Sequence, residues 1–139
     1  MRLTTILLMA LLSGCALQAS KPDDLYRELG QEQGIKTLVT KLLYNIADDQ
    51  RIADQFRDSN VERLRDKLVE QICVLSGGPC VYTGDTMAES HAGKNINDMH
   101  FNALVEDLIA AMNSQQISVS AQNRLIALLA PMHGDIVYH

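Results

Sequence analysis

The sequence predicts an all-α domain, on three observations. Apolar residues recur at spacings of three and four along the segments 31–46, 61–75 and 101–112, the pattern of a helix with one buried face. No run alternates apolar and polar residues as a half-buried strand requires. Capping residues, glycines and prolines fall between these segments, where helices start and stop.

Taken in order, Asp23-Asp24 cap a short first helix that Gly30 stops. A second helix over 31–46 places Ile35, Leu38, Val39, Leu42 and Ile46 on one face. Ser59-x-x-Glu62 reads as a capping box. It opens a third helix with Val61, Leu64, Leu68, Ile72 and Leu75 on one stripe, ended by Gly77-Gly78-Pro79. Residues 77–97 are the least regular, with only a weak helical signal over 85–91; a long loop inside a compact domain is more often functional than accidental. Asn97 or Asp98 starts the clearest helix, carrying Phe101, Leu104, Val105, Leu108, Ile109 and Met112. A last helix from about residue 118 carries Leu125, Ile126, Leu128, Leu129 and Ile136, and Pro131 is expected to kink it.

The N-terminus sets the domain organisation. Met1-Arg2, an apolar run over 3–12 and then Ser13-Gly14-Cys15 have the layout of a secretory signal, too short for a spanning helix of roughly 20 residues. Leu12-Ser13-Gly14-Cys15 resembles a bacterial lipobox, the alternative being an ordinary signal peptide with a coincidental cysteine. On the lipoprotein reading residues 1–14 are removed, Cys15 carries lipid, 15–22 form a tether and 23–139 form one domain. Ala16 stands where inner-membrane lipoproteins often carry Asp, so the expected address is the periplasmic face of the outer membrane.

Only Arg2 among the charged residues lies in the signal, leaving 11 Lys+Arg against 17 Asp+Glu, a net −6. That balance argues against nucleic acid and anionic lipid as partners; the membrane is reached through the lipid anchor only. With Cys15 lipidated, Cys73 and Cys80 remain as an even pair in an oxidising compartment. The intervening Gly-Gly-Pro reverses the chain, so the expectation is a disulfide, with two free, half-buried thiols as the alternative.

Candidate chemistry is sparse: four histidines, two spare cysteines and six methionines, with no HExxH, CxxC, GxGxxG or serine-centred elbow. His100 and His139 read as surface residues. His91 stands apart, closing a weak helix beside Ala92-Gly93 in the loose stretch between two helical halves. A histidine at the edge of an apolar helical cleft is how all-α proteins hold a heme iron.

Together with these residues, Leu25-Tyr26-x-x-Leu29-Gly30, Tyr44 and Phe56 flanking Asp48-Asp49-Gln50-Arg51-Ile52, Gly77-Gly78-Pro79-x-x-Tyr82-Thr83-Gly84, Met87-x-x-Ser90-His91-x-Gly93 and His100-Phe101-x-x-Leu104-Val105-x-x-Leu108 carry a family pattern. Over residues 25–138 the chain resembles a group I truncated hemoglobin, which implies a two-over-two helical sandwich binding heme b. The resemblance puts His91 at the proximal, iron-ligating histidine, Phe56 at the phenylalanine that wedges against heme, and Tyr44 at the distal tyrosine that donates to bound gas. One residue past Leu42-Leu43, Tyr44 reads equally as a helix tyrosine with its hydroxyl at the surface.

The chain departs from the family on its third helix. Leu68 stands where many members carry a distal glutamine, and Leu64 lies one turn earlier, so the distal wall there is apolar. Gln71, one turn on, is a candidate second donor. Lys67 matches a position at which cyanobacterial members place an iron-binding histidine; for a lysine a heme-propionate contact or plain solvent exposure is expected. His133, in Ala130-Pro131-Met132-His133, resembles a histidine that bonds covalently to a heme vinyl group in cyanobacterial members, the alternative being a surface residue.

The resemblance implies a lipid-anchored heme b protein that reversibly binds a diatomic gas, oxygen or nitric oxide, at ferrous iron. Oxidation of nitric oxide by such a protein needs a separate reductase, an electron donor the sequence does not name. The alternatives are a six-coordinate redox or gas-sensing heme protein and a heme-free helical envelope lipoprotein.

Overall fold

The structure, a computed structural model, describes residues 24–138. The segments expected to form a signal peptide and a tether, with Cys15, lie outside the described residues. Among the described residues seven α-helices form: α1 (Asp24–Glu28), α2 (Gln31–Asp48), α3 (Val61–Leu75), α4 (Met87–His91), α5 (Asp98–Ser114), α6 (Val119–Leu129) and α7 (His133–Ile136), with 3-10 turns at Ala53–Phe56 and Ala130–Met132. Among the described residues there is no strand, and no helix is long and apolar enough to cross a membrane.

The central helix is α2, which packs on both α3 and α5. Its predicted face, Ile35, Leu38, Val39, Leu42 and Ile46, is fully buried. It forms one core with Ile52, Ile72, Leu108, Met112, Leu125 and their neighbours, each such side chain contributing roughly 1.5–3 kcal/mol by leaving water.

Helix α3 starts one residue later than the capping box predicts. The cap is Asn60, whose side chain accepts the backbone N–H of Arg63 at 3.0 Å. Asparagine caps as well as serine does, and spacing alone could not rank the two neighbours. Pro131 interrupts the last helix: α6 ends at Leu129, a 3-10 turn spans Ala130–Met132, and α7 follows.

Cys73 and Cys80 form a disulfide, with Cα atoms 5.9 Å apart. The turn after α3 passes so close to it that a Cβ on Gly78 would lie 2.6 Å from the Cys73 sulfur and 2.6 Å from the Tyr26 ring. Only glycine fits there. The N–H of Tyr26 donates to the carbonyl of Ser76 at 3.0 Å, tying α1 to the same turn.

Candidate functional site

The apolar stripes of α3 and α5 are buried unevenly. On α3, Ile72 and Cys73 are buried whereas Leu64 and Leu68, on the same stripe, are half-buried. On α5, Leu108, Ala111 and Met112 are buried while Phe101, Leu104 and Val105 at the other end are half-buried. Between these segments runs the short α4, which buries no residue. Half-covered apolar side chains such as these are the ones available to line a ligand cleft.

Three contacts lay the loop between α3 and α4 back along α3. Cys80 is bonded to Cys73, the N–H of Thr83 donates to the Glu70 carboxylate at 2.9 Å, and Arg63 donates to Asp85 at 3.3 Å. As the loop number rises the α3 number falls, so the loop runs antiparallel to the helix. Lys67 donates to both Glu70 oxygens at 2.9 Å and to the Thr83 hydroxyl. These hydrogen bonds, that from Lys67 first, pull the Glu70 carboxyl down to about 2.

The loop delivers α4, opened by a capping box in which Thr86 accepts the N–H of Glu89 and the Glu89 carboxylate accepts the N–H of Thr86. At its other end His91 Nδ1 lies 2.8 Å from the carbonyl oxygen of Met87. A carbonyl can only accept, so Nδ1 carries the proton, and in the neutral ring Nε2 is a bare lone pair. Such a backbone contact fixes the tautomer and orientation of metal-ligating histidines. Gly93, at φ +73°, then turns the chain as the Lys94 N–H bonds the His91 carbonyl at 3.1 Å. That conformation costs an ordinary L-residue roughly 1–2 kcal/mol.

Across from α4 stands Gln71, whose Nε2 lies 3.4 Å from the sulfur of Met87 and 3.4 Å from that of Met132. The Gln71 face of α3 therefore meets α4 and the 3-10 turn before α7. Leu68 and Leu64, one and two turns before Gln71, share that face. They extend it past the Gln71–Met87 contact toward the start of α3. Phe56, at the end of its 3-10 turn, is half-buried against the core.

Of the predicted site residues, His91 closes α4, Leu64 and Leu68 lie half-buried on the α3 face that Gln71 continues toward α4, and Phe56 packs on the core. Of its two readings, Tyr44 here takes that of a helix tyrosine at the surface. It is 70% exposed and shares the outer side of α2 with Gln33, Thr37 and Lys41. At 100° per residue it lies opposite Ile35, while Leu43 packs inward. The candidate donor Gln71 is engaged by the two thioethers. Lys67 is bonded to Glu70 and Thr83, which makes it part of the strap that holds the loop to α3. His133 Nε2 meets Asp98 at 2.8 Å and its ring stands edge-on to Phe101 at 4.7 Å. That is the outward-facing alternative, and the Asp98 carboxyl is lowered by His133 first and by Tyr138 second. His100 completes the α5 cap, its Nδ1 accepting the Asn97 N–H at 3.3 Å. Sequence reasoning missed Leu43, at the edge of the α2 stripe, and the anchoring roles of Met87 and Met132.

The family profile described as bacterial-like globin matches residues 24–138. The chain belongs to this globin family. The globin is 33% identical over 115 residues to the group 1 truncated hemoglobin of Nostoc commune, covering 81% of this chain and 96% of that one. It is 25% identical over 118 residues to the group 1 truncated hemoglobin of Tetrahymena pyriformis, covering 85% and 98%. The Fe(III) crystal structure of the Tetrahymena pyriformis truncated hemoglobin superposes with a TM-score of 0.79 at 25% identity, over 81% of this globin and 97% of that chain. The fold is therefore the two-over-two truncated globin.

The residues fit a heme. His91 offers an Nε2 lone pair whose orientation the Met87 carbonyl fixes, and the half-covered Leu64 and Leu68 of α3 suit the flat apolar body of a porphyrin.

Proposed function

We propose that this globin holds heme b in the cleft between α3 and the α4–α5 segment, with His91 Nε2 as the axial ligand, and reversibly binds a diatomic gas, oxygen or nitric oxide. When bound, heme supplies a ferrous iron with one open position for such a ligand. The carrying observation is the fixed His91 tautomer, 2.8 Å from the Met87 carbonyl. Met87 orients the ring, Gln71 links Met87 to Met132, and Leu64 and Leu68 keep water from the ligand side. The Glu70–Thr83 strap and the disulfide set the distance from α4 to α3. Turnover of nitric oxide to nitrate would draw electrons from a separate reductase.

Absorption spectra of the hemin-titrated chain, oxidised, reduced and with carbon monoxide, test this reading. A Soret band that shifts on reduction and with carbon monoxide, and is lost in His91→Ala, is the expected result. A chain that takes up no hemin overturns it.

We further propose that the globin is displayed on the periplasmic face of the envelope through lipid on Cys15, because Leu12-Ser13-Gly14-Cys15 ends a short apolar run. Labelling of expressing cells with a radioactive fatty acid, lost in Cys15→Ser, is expected; unlabelled wild-type protein overturns it.

A further inference from the structure

Every polar side chain that α2 and α3 could turn toward the ligand side is exposed elsewhere or already partnered. Tyr44 sits on the outer side of α2, 70% exposed. Lys67 is bonded to Glu70 and Thr83, Arg63 to Asp85 and Arg65 to Asp66. The Gln71 amide nitrogen faces the two thioethers. What remains on the α3 face that Gln71 continues is Leu64 and Leu68, both half-buried, and the inward neighbour of Tyr44 is Leu43.

Resting on the heme reading above, we propose that these leucines make the ligand site select by polarity, favouring nitric oxide and carbon monoxide over dioxygen. Dioxygen draws electron density from ferrous iron, and the partial negative charge on its outer atom needs a hydrogen-bond donor. Nitric oxide and carbon monoxide take up far less charge and lose little in an apolar pocket. A hydrogen bond to a charged acceptor contributes about 1.5–3 kcal/mol, so lacking one speeds dioxygen release about ten- to hundredfold. The same absence leaves carbon monoxide release nearly unchanged. Leu64 and Leu68 are therefore specificity-determining residues of this globin, acting by what they withhold.

The test uses the full-length chain loaded with hemin and reduced, with two readouts. Vibrational spectroscopy of the carbonmonoxy form should place the C–O stretch at the high frequency of a pocket without donors, and Leu68→Gln should lower it. Stopped-flow release should show fast dioxygen loss, slowed about tenfold or more by Leu68→Gln, with carbon monoxide release changed less than twofold. The wild-type stretch needs no variant, so a misfolded Leu68→Gln leaves the inference exposed. Slow dioxygen release from the unaltered chain, or a low stretch in it, shows that Gln71 leaves its thioethers for the ligand and overturns the inference alone. A chain that binds no hemin through His91 overturns the heme reading and the inference with it.

Discussion

Met87 and His91 lie one turn apart on α4, and the carbonyl of the first receives the Nδ1–H of the second at 2.8 Å. The contact turns a generic surface imidazole into an oriented lone pair. It also makes the two nitrogens unequal, which separates His91 from His100, whose Nδ1 is spent on the Asn97 cap. His91→Ala should abolish the Soret band on hemin titration, and His100→Ala should retain it with only a small loss of stability. The opposite pattern would place the axial ligand on α5.

The strap that positions α4 predicts a pH response. Glu70 is held at about 2 against an ordinary 4.5 by Lys67 and Thr83. A carboxyl depressed in the folded state contributes stability that is full above its unfolded pKa and is lost as pH falls through the folded one. Wild type should therefore be more stable than Glu70→Gln above pH about 4.5, and the two should converge by pH about 2. Thermal midpoints across that range check it; a difference independent of pH would show that Glu70 acts through packing instead.

Reduction of the disulfide should loosen the same loop. Closing so short a loop stabilises by about 2–3 kcal/mol in the chain-entropy model, and Cys80 fixes the first point at which the loop meets α3. Cys73→Ser/Cys80→Ser should lower the melting temperature and weaken hemin retention. Mass measurement after alkylation without reductant should find neither thiol modified.

Helices, core and fold class were legible because burial of one face at a 3.6-residue period leaves its mark in spacing alone. The α2 stripe is buried residue for residue, and Ser118 caps α6 by accepting the Ala121 N–H. His91 stood out in the sequence because family pattern and local context agree on it, and what the structure adds is its oriented Nδ1 contact with the Met87 carbonyl. Spacing already turned Tyr44 outward, nine residues and 180° from Ile35 on that stripe; it was the family resemblance that drew it toward the ligand. The strap was hidden, since Lys67, Glu70 and Thr83 are ordinary polar residues until the loop folds back.

The cap of α3 gives a local test of that boundary. Asn60 accepts the Arg63 N–H, and replacing a capping asparagine by alanine costs about 1 kcal/mol. Asn60→Ala should destabilise by that amount in urea, and Ser59→Ala by much less. The reverse order would restore the boundary read from the Ser59-x-x-Glu62 spacing.

Tyr44 supplies the last prediction, because its side chain separates two accounts of the ligand site. At 70% exposure, on the side of α2 that carries Thr37 and Lys41, its phenol hydroxyl bonds water and reaches no ligand. Removing that hydroxyl from a solvated position should change stability by less than about 0.5 kcal/mol and leave dioxygen release from the hemin-loaded, reduced chain unaltered. A distal phenol would behave differently, since losing one hydrogen bond to a charged acceptor raises release about tenfold or more. Stopped-flow release from Tyr44→Phe decides between them. A tenfold acceleration would mean that α2 turns by about 100° when heme enters, moving Leu43 outward and putting a donor where the structure has leucine.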